Sequence, residues 1–224
     1  MSDPTQAEIM EVLGGLYAEE PLGVRLTAKY RPLIAPIDQV VSRLAECRSV
    51  LDIGCGQGTL LLTLNAFGSA EEMRGIDSSA SAIQTAARVA SKAEASGCTF
   101  ECLDAADDWC FDPVEGVGMV DLMHHLPPEV RGDLIRKAAA QLRPGGVLVY
   151  KDMCRRPVWR MLLNRMHDLA MARQWIDEEP VANVIAWATE VGLELIEQRR
   201  INMFWYGHDL LVFRKPSGDS IASE

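Results

Sequence analysis

The chain predicts an α/β fold, a doubly wound and mostly parallel sheet with helices on both faces and an antiparallel hairpin at its C-terminal end. Three observations predict it. Short apolar runs alternate with helical periodicities between Ser49 and Lys151. The first run, Ser49–Ile53, passes into a turn carrying three alternating glycines, Gly54, Gly56 and Gly58, and then into a helical pattern. The last two strand-like runs, Leu193–Ile201 and His208–Phe213, are joined by a connection too short for a crossover helix, so they pair antiparallel.

The elements follow in order. Residues 1–32 form a helical cap, with a helix from Pro4 to Glu19 and a break at Pro21-Leu22-Gly23. Ile34–Cys47 is helical, with Val40, Val41 and Leu44 on one face. Ser49–Ile53 is the first strand and Leu60–Phe67 the first helix after the glycine turn. Glu72–Ile76 is the second strand, ending at Asp77. The alanine-rich Ser79–Ser96 is a helix with Ser78 as its N-cap. Thr99–Leu103 and Gly116–Leu122 are strands. Pro127–Leu142 is a helix opened by proline and closed by Arg143-Pro144-Gly145-Gly146, ahead of the strand Val147–Lys151. The rhythm then breaks. Residues 152–180 form a helical insertion, helix-rich over Pro157–Arg173, followed by a helix at Val181–Val191 and the hairpin. The core domain is thus 33–214, and 215–224 is a small, polar, frayed tail.

Bulk properties narrow the function. A chain of 224 residues with 48% hydrophobic and 24% charged residues suits one globular core with a cap. The net charge of -10 disfavours a nucleic-acid partner, because phosphate binding needs a basic face. The first 30 residues, with Glu8, Glu11, Glu19 and Glu20, lack a signal-peptide pattern, and no apolar run approaches the ~18–20 residues that span a bilayer, so a cytoplasmic protein is expected. Cys47, Cys55, Cys98, Cys102, Cys110 and Cys154 form no Cys-x-x-Cys pair, and no histidines sit at zinc spacing. No metal is expected, and the cysteines are read as reduced, in or near the core.

The chemistry concentrates at the glycine turn. Glycines there allow positive φ and let a ligand lie against the backbone. The amides of a helix N-terminus favour an anion such as a carboxylate. The spacing is Gly-x-Gly-x-Gly, not the dinucleotide pattern Gly-x-Gly-x-x-Gly. The phrase Leu51-Asp52-Ile53-Gly54-Cys55-Gly56-Gln57-Gly58 closely resembles motif I of the class I S-adenosylmethionine (SAM)-dependent methyltransferases. The likeness covers about residues 45–151 well and 180–214 in outline. It implies a Rossmann-like sheet of seven strands, the last inserted antiparallel, with SAM as cofactor.

By that resemblance Gly54, Cys55, Gly56 and Gly58 wrap the cofactor, and Asp52 takes its α-ammonium; the alternative for Asp52 is a cap on the turn. Asp77, with Ser78 beside it, offers a carboxylate to both ribose hydroxyls, or else caps the next helix. Asp104 accepts from the adenine amine while the Ala105 N–H donates to the ring, with Leu103 and Trp109 on the ring faces. Asp107 and Asp108 are rivals, and a solvated turn is the alternative. Residues 121–128 resemble the family's Leu-His-His-Leu-Pro, which passes beneath the transferred methyl. Asp121 departs from the apolar residue expected there and either lines the cleft, as a cofactor contact, or pairs with a neighbour. His124 and His125 are the candidate general bases, with Lys151 and Asp152 behind them.

Substrate contacts are expected from Tyr30 and Arg31 in an N-terminal lid that also holds Tyr17, and from Lys151, Arg155 and Trp159. The stretch Arg155–Met166 carries four arginines beside a Met-rich apolar stripe. It reads as a lid helix with a solvated basic face, as a pocket for an anionic substrate, or as a docking site for an anionic membrane or an acidic carrier protein. The whole resembles small bacterial-type methyltransferases of secondary metabolism or lipid modification. The expected reaction is methylation of a small or lipid-like acceptor, at oxygen. A nicotinamide oxidoreductase is the alternative enzyme, disfavoured by the glycine spacing, Asp52 and the terminal hairpin, and a non-catalytic SAM-binding protein is a third class.

Overall fold

A computed structural model describes residues 3–154, 179–203 and 206–217. Seven strands, β1 (Ser49–Ile53), β2 (Glu72–Asp77), β3 (Cys98–Cys102), β4 (Val114–Val120), β5 (Leu142–Met153), β6 (Glu194–Met203) and β7 (Tyr206–Arg214), form one mixed sheet in the order β3-β2-β1-β4-β5-β7-β6. The β1–β2, β2–β3 and β4–β5 pairs are parallel, and β7 runs antiparallel to both β5 and β6. The expected fold class is the observed one. The chain divides into two compact units, Met1–Trp109 and Cys110–Glu224.

In the first unit, α1 (Gln6–Leu16) starts at a capping box: Thr5 Oγ1 accepts from the Glu8 N–H, and the Glu8 carboxylate accepts from the Thr5 N–H. A second helix, α2 (Leu22–Ile34), begins where the sequence reading placed only a break. Pro32 removes the N–H that would close on Ala28, and the helix ends two residues later, with Ala35 extended before Pro36. Then come α3 (Ile37–Leu44), β1, α4 (Thr59–Phe67), β2, α5 (Ala80–Lys92) and β3. Every residue of β1 is buried, which is why it reads as an apolar run rather than an alternation. The N-cap of α5 is Ser79, not Ser78: Ser79 Oγ accepts from the Ala82 N–H at 3.3 Å. The helix stops short of the expected Ser96 because Glu94 takes the left-handed backbone at φ 52.

In the second unit, β4 leads through a tight turn at Met123–His125 into α6 (Pro128–Ala140), with proline in its first turn. The segment Arg143–Gly146, expected as a helix stop before a strand, lies within β5 and shifts its register against β4. Gly145 adopts φ +83, and a Cβ on Gly146 would fall 2.9 Å from two carbonyl oxygens, those of Arg143 and Glu115. After β5 come α7 (Val181–Glu190) and the β6–β7 hairpin, with Ile201 opposite His208. Lys215, assigned to a frayed tail, is tied down. Its N–H donates to Gly146, and its ammonium donates to the carbonyl of Ala139, in the last turn of α6, and to that of Leu142, the first residue of β5. The stretch Pro157–Arg173 lies outside the described residues, as do Arg155 and Trp159.

Gly146→Ala is expected to lower unfolding free energy by about 1–3 kcal/mol, because backbone rather than a flexible side chain must give way. Urea denaturation measures it, and an unchanged midpoint would contradict this packing.

Candidate functional site

In the first unit the polar groups converge on the turn after β1. The N–H groups of Gly54 and Cys55 both donate to the Ile76 carbonyl, at 2.8 and 3.0 Å, which folds the turn onto β2. Gly54, Gly56 and Gly58 sit at φ 78, 53 and 82, a left-handed run that side chains resist. The last two glycines serve different purposes. A Cβ on Gly58 would lie 2.8 Å from the Phe100 ring, so this glycine permits packing. A Cβ on Gly56 would meet nothing within 4 Å, so there the backbone borders open space.

Asp77 spans the turn and the start of α5: one carboxylate oxygen accepts from Gly56 N–H at 2.9 Å and the other from Ser79 N–H at 2.8 Å. Asp52 is buried at the end of β1, and its Oδ1 has no hydrogen-bond partner among the described residues. Burial pushes its carboxyl up to about 7; the Arg31 charge opposes the rise and the Asp77 charge adds to it. Arg31 on α2 therefore acts on this carboxylate, while its neighbour Tyr30 is exposed.

Sequence reasoning missed the tether on this turn. The fully buried Tyr17 donates from its hydroxyl to the Gln57 carbonyl at 2.6 Å, and burial holds that phenol well above its ordinary range. The residues after Tyr17 are fastened to α5, Glu20 by a two-point contact with Arg88 and Glu19 by Lys92 at 2.8 Å. No local pattern signals these contacts, which span 40 to 73 positions.

Asp104 is exposed, and one of its oxygens accepts from the Ala106 N–H at 2.9 Å, a turn-closing role. Ala105 is buried, and its carbonyl accepts from the Trp109 indole at 3.2 Å. Ser78 is exposed and accepts through its carbonyl from the Cys102 thiol.

In the second unit, Asp121 stands just past β4 in left-handed backbone at φ 55. Its N–H donates to the Lys151 carbonyl, and its carboxylate accepts from the Lys151 ammonium at 2.5 Å. Lys151 is fully buried, so an acid at the end of an apolar strand is the partner such a lysine requires. The two residues read as cofactor and substrate contacts thus contact each other.

His124 is buried and gripped twice by Asp152: its N–H donates to Oδ2 at 3.2 Å, and its ring Nδ1 hydrogen-bonds Oδ1. Asp152 is itself fixed by the Met153 N–H at 2.7 Å. Against an ionised carboxylate Nδ1 must donate, which leaves Nε2 as the basic nitrogen. His125 is exposed, its ring centroid 4.0 Å from that of His124. Arg131, fully buried, donates to the Leu126 carbonyl at 2.9 Å and pairs with Glu179 at 2.6 Å, which holds the turn following the histidines.

A family model described as a methyltransferase domain matches residues 26–198. The chain belongs to this methyltransferase family. The likeness to the class I SAM-dependent enzymes, drawn on Asp52–Gly58, therefore holds, and the nicotinamide alternative falls. No curated protein sequence matches the chain. Among solved structures, an O-methyltransferase family protein from Burkholderia thailandensis is similar at 19% identity and a TM-score of 0.71, covering 86% of this chain. This chain spans only 58% of that protein. The magnesium protoporphyrin IX methyltransferase of Synechocystis PCC 6803, solved with bound SAH, is 18% identical at a TM-score of 0.68, covering 92% and 93% of the two chains. An N-methyltransferase from Bradyrhizobium japonicum WM9 is 18% identical at 0.59, covering 81% and 98%. At such identities these neighbours establish the fold, and they differ in the atom named as methylated.

With its carboxyl raised on folding, Asp52 contributes stability below its unfolded value near pH ~4 and loses it as pH climbs to about 7. Asp52→Asn should abolish this decline, whose slope is at most about 1.4 kcal/mol per pH unit. Urea melts of both proteins across that range measure it, and parallel curves would refute the assignment.

Proposed function

We propose that this methyltransferase transfers the methyl group of SAM to an oxygen of a small or lipid-like acceptor. SAM supplies a sulfonium-activated methyl, so the protein's task is to bind, orient and deprotonate. One observation carries the cofactor assignment. A buried carboxylate oxygen of Asp52 lacks a partner beside a turn that opens at Gly56, and the α-ammonium of SAM is the complementary group. The N-terminal amides of α4, which no side chain caps, suit the carboxylate of the methionine moiety. Asp77 uses one hydrogen bond on each oxygen and retains acceptor capacity for ribose hydroxyls. Asp104 and the Ala105 N–H serve the adenine edge.

The choice of oxygen follows from His124 and Asp152. A hydroxyl or phenol must lose a proton as it is alkylated, and a histidine held in one tautomer by a carboxylate is a base suited to that task. The proton passes to Nε2, and Asp152 stabilises the imidazolium that results. A carboxylate acceptor would need no base. His125 lies against the base and shapes its surroundings.

Calorimetric titration is expected to show binding of SAM and S-adenosylhomocysteine and none of NAD. Tight NAD binding without SAM binding would overturn the reading. Asp77→Ala should weaken SAM binding at least tenfold, about 1.4 kcal/mol, and an unchanged affinity would remove the ribose role. Incubation with methyl-labelled SAM and a metabolite extract should yield labelled product. Asp152→Asn should lower that yield rate about 10²–10⁴-fold and move the pH profile while SAM affinity stays constant. A profile identical to the parent's would exclude His124 as the base.

A further inference from the structure

The pairing of His124 with Asp152 continues across the sheet. Asp152 on β5 stands directly opposite Asp209 on β7, and Asp209 stands opposite Arg200 on β6. Residues opposite each other in an antiparallel ladder project from the same face, with Cβ atoms about 4.5–5.5 Å apart. His124, Asp152, Asp209 and Arg200 therefore form one row over the turn after β4 and three strands. Direct contacts close the row at both ends. Asp152 accepts from the His124 N–H and meets its ring, and Arg200 Nε donates to Asp209 Oδ1 at 3.1 Å.

The two central carboxylates are both buried. Like charges directly opposite destabilise a sheet, and burial strengthens the repulsion. Packing alone does not call for an acid at Asp209, since Leu211 and Phe213, next on the same face of β7, are fully buried. Arg200, half-exposed, gives Asp209 a cationic partner. A protonated His124 ring would give the row its second cation.

Other charged groups adjoin the row. Tyr150, two residues before Asp152 on the same face of β5, has its phenol raised by burial and then by Asp152, Glu179 and Asp209, against Arg131. Arg131 and Glu179 pair with each other at 2.6 Å. The buried Cys154 acts on Arg200. Lys151 points to the opposite face of β5 and pairs with Asp121. On its own turn His124 meets His125.

We propose that Asp209 is a positioning residue for the base: from behind Asp152, and held by Arg200, it favours the protonated form of the His124 ring and so raises its basicity. The catalytic part of this inference rests on the reading of His124 as the base given above; the titration part does not.

The test is proton NMR of the histidine Cε1–H resonances of the full chain across pH. The chain has four histidines, so the His124 resonance is identified as the one missing in His124→Gln. In the parent its midpoint should lie above the ordinary histidine value near ~6.5. Asp209→Asn keeps the side chain's size and removes its charge, and should lower the midpoint by about one pH unit, a tenfold change in proton affinity. Glu197→Gln removes a carboxylate from the other face of β6 and should leave it unchanged. A parental midpoint at or below the ordinary value would overturn the proposal, and that measurement needs no folded variant. So would an unmoved midpoint in Asp209→Asn, or an equal fall in Glu197→Gln. Methyl transfer needs the ring neutral, so the rise of labelled-product rate with pH should move to lower pH in Asp209→Asn, alongside the NMR midpoint. A fixed NMR midpoint sinks this inference alone. A midpoint that moves while the rate profile stays sinks the base assignment and leaves the titration standing.

Discussion

The Ile76 carbonyl accepts from both Gly54 and Cys55, and the arrangement of the first unit depends on that doubled contact. It bends the chain sharply at the end of β1, and the bend requires the left-handed backbone that Gly54, Gly56 and Gly58 supply. Once the turn lies on β2, Asp77 is in reach of Gly56, Gln57 presents its carbonyl to Tyr17, and Asp52 sits one residue from the end of a fully buried strand. A side chain at Gly58 would collide with Phe100, whereas one at Gly56 would stand in open space. The turn is thus held from β2, from α5 and from the N-terminal helices, and its donors are set before a ligand arrives.

The second unit is organised by buried charge. Lys151, Arg131 and His124 are almost entirely out of water, and each has a carboxylate in contact: Asp121, Glu179 and Asp152. Desolvating an ion costs several kcal/mol, and removing one partner of a buried pair costs about 3–5 kcal/mol. Such pairs do little for net stability. Their effect is on geometry, because a buried ion tolerates few positions. Asp152 sets the histidine tautomer, Asp121 anchors the strand end, and Arg131 fixes the turn that carries both histidines. Asp52, in the first unit, departs from this pattern, a buried carboxyl with one oxygen unmatched among the described residues.

Family and chemistry are separate conclusions here. The glycine turn and the sheet identify a methyltransferase, yet neighbours of the same fold are named for methylation at different atoms. The fold is shared by enzymes named for different acceptor atoms, so the atom attacked is set by side chains that vary on a common frame.

Much of this was legible in the residues. Val50–Ile53 and the glycine spacing are local patterns, and they announced the first strand, the turn and the cofactor class. The hairpin was legible because a short connection permits one pairing direction. Other features were not. Helix α2 was missed because Pro32 and an exposed apolar face disguise it, and Ser79 took the cap from Ser78 by the course of the backbone alone. Asp121 looked anomalous until Lys151 stood against it. By itself, then, the sequence determined the fold class, the glycine turn and the family, since these follow from periodicity and backbone freedom within a few residues. Only the tertiary structure decided which charges are paired, that Tyr17 tethers the turn, that Asp152 governs His124, and that Lys215 caps α6. Those contacts join residues 28 to 76 positions apart, and burial makes them matter by removing the water that would otherwise satisfy each group.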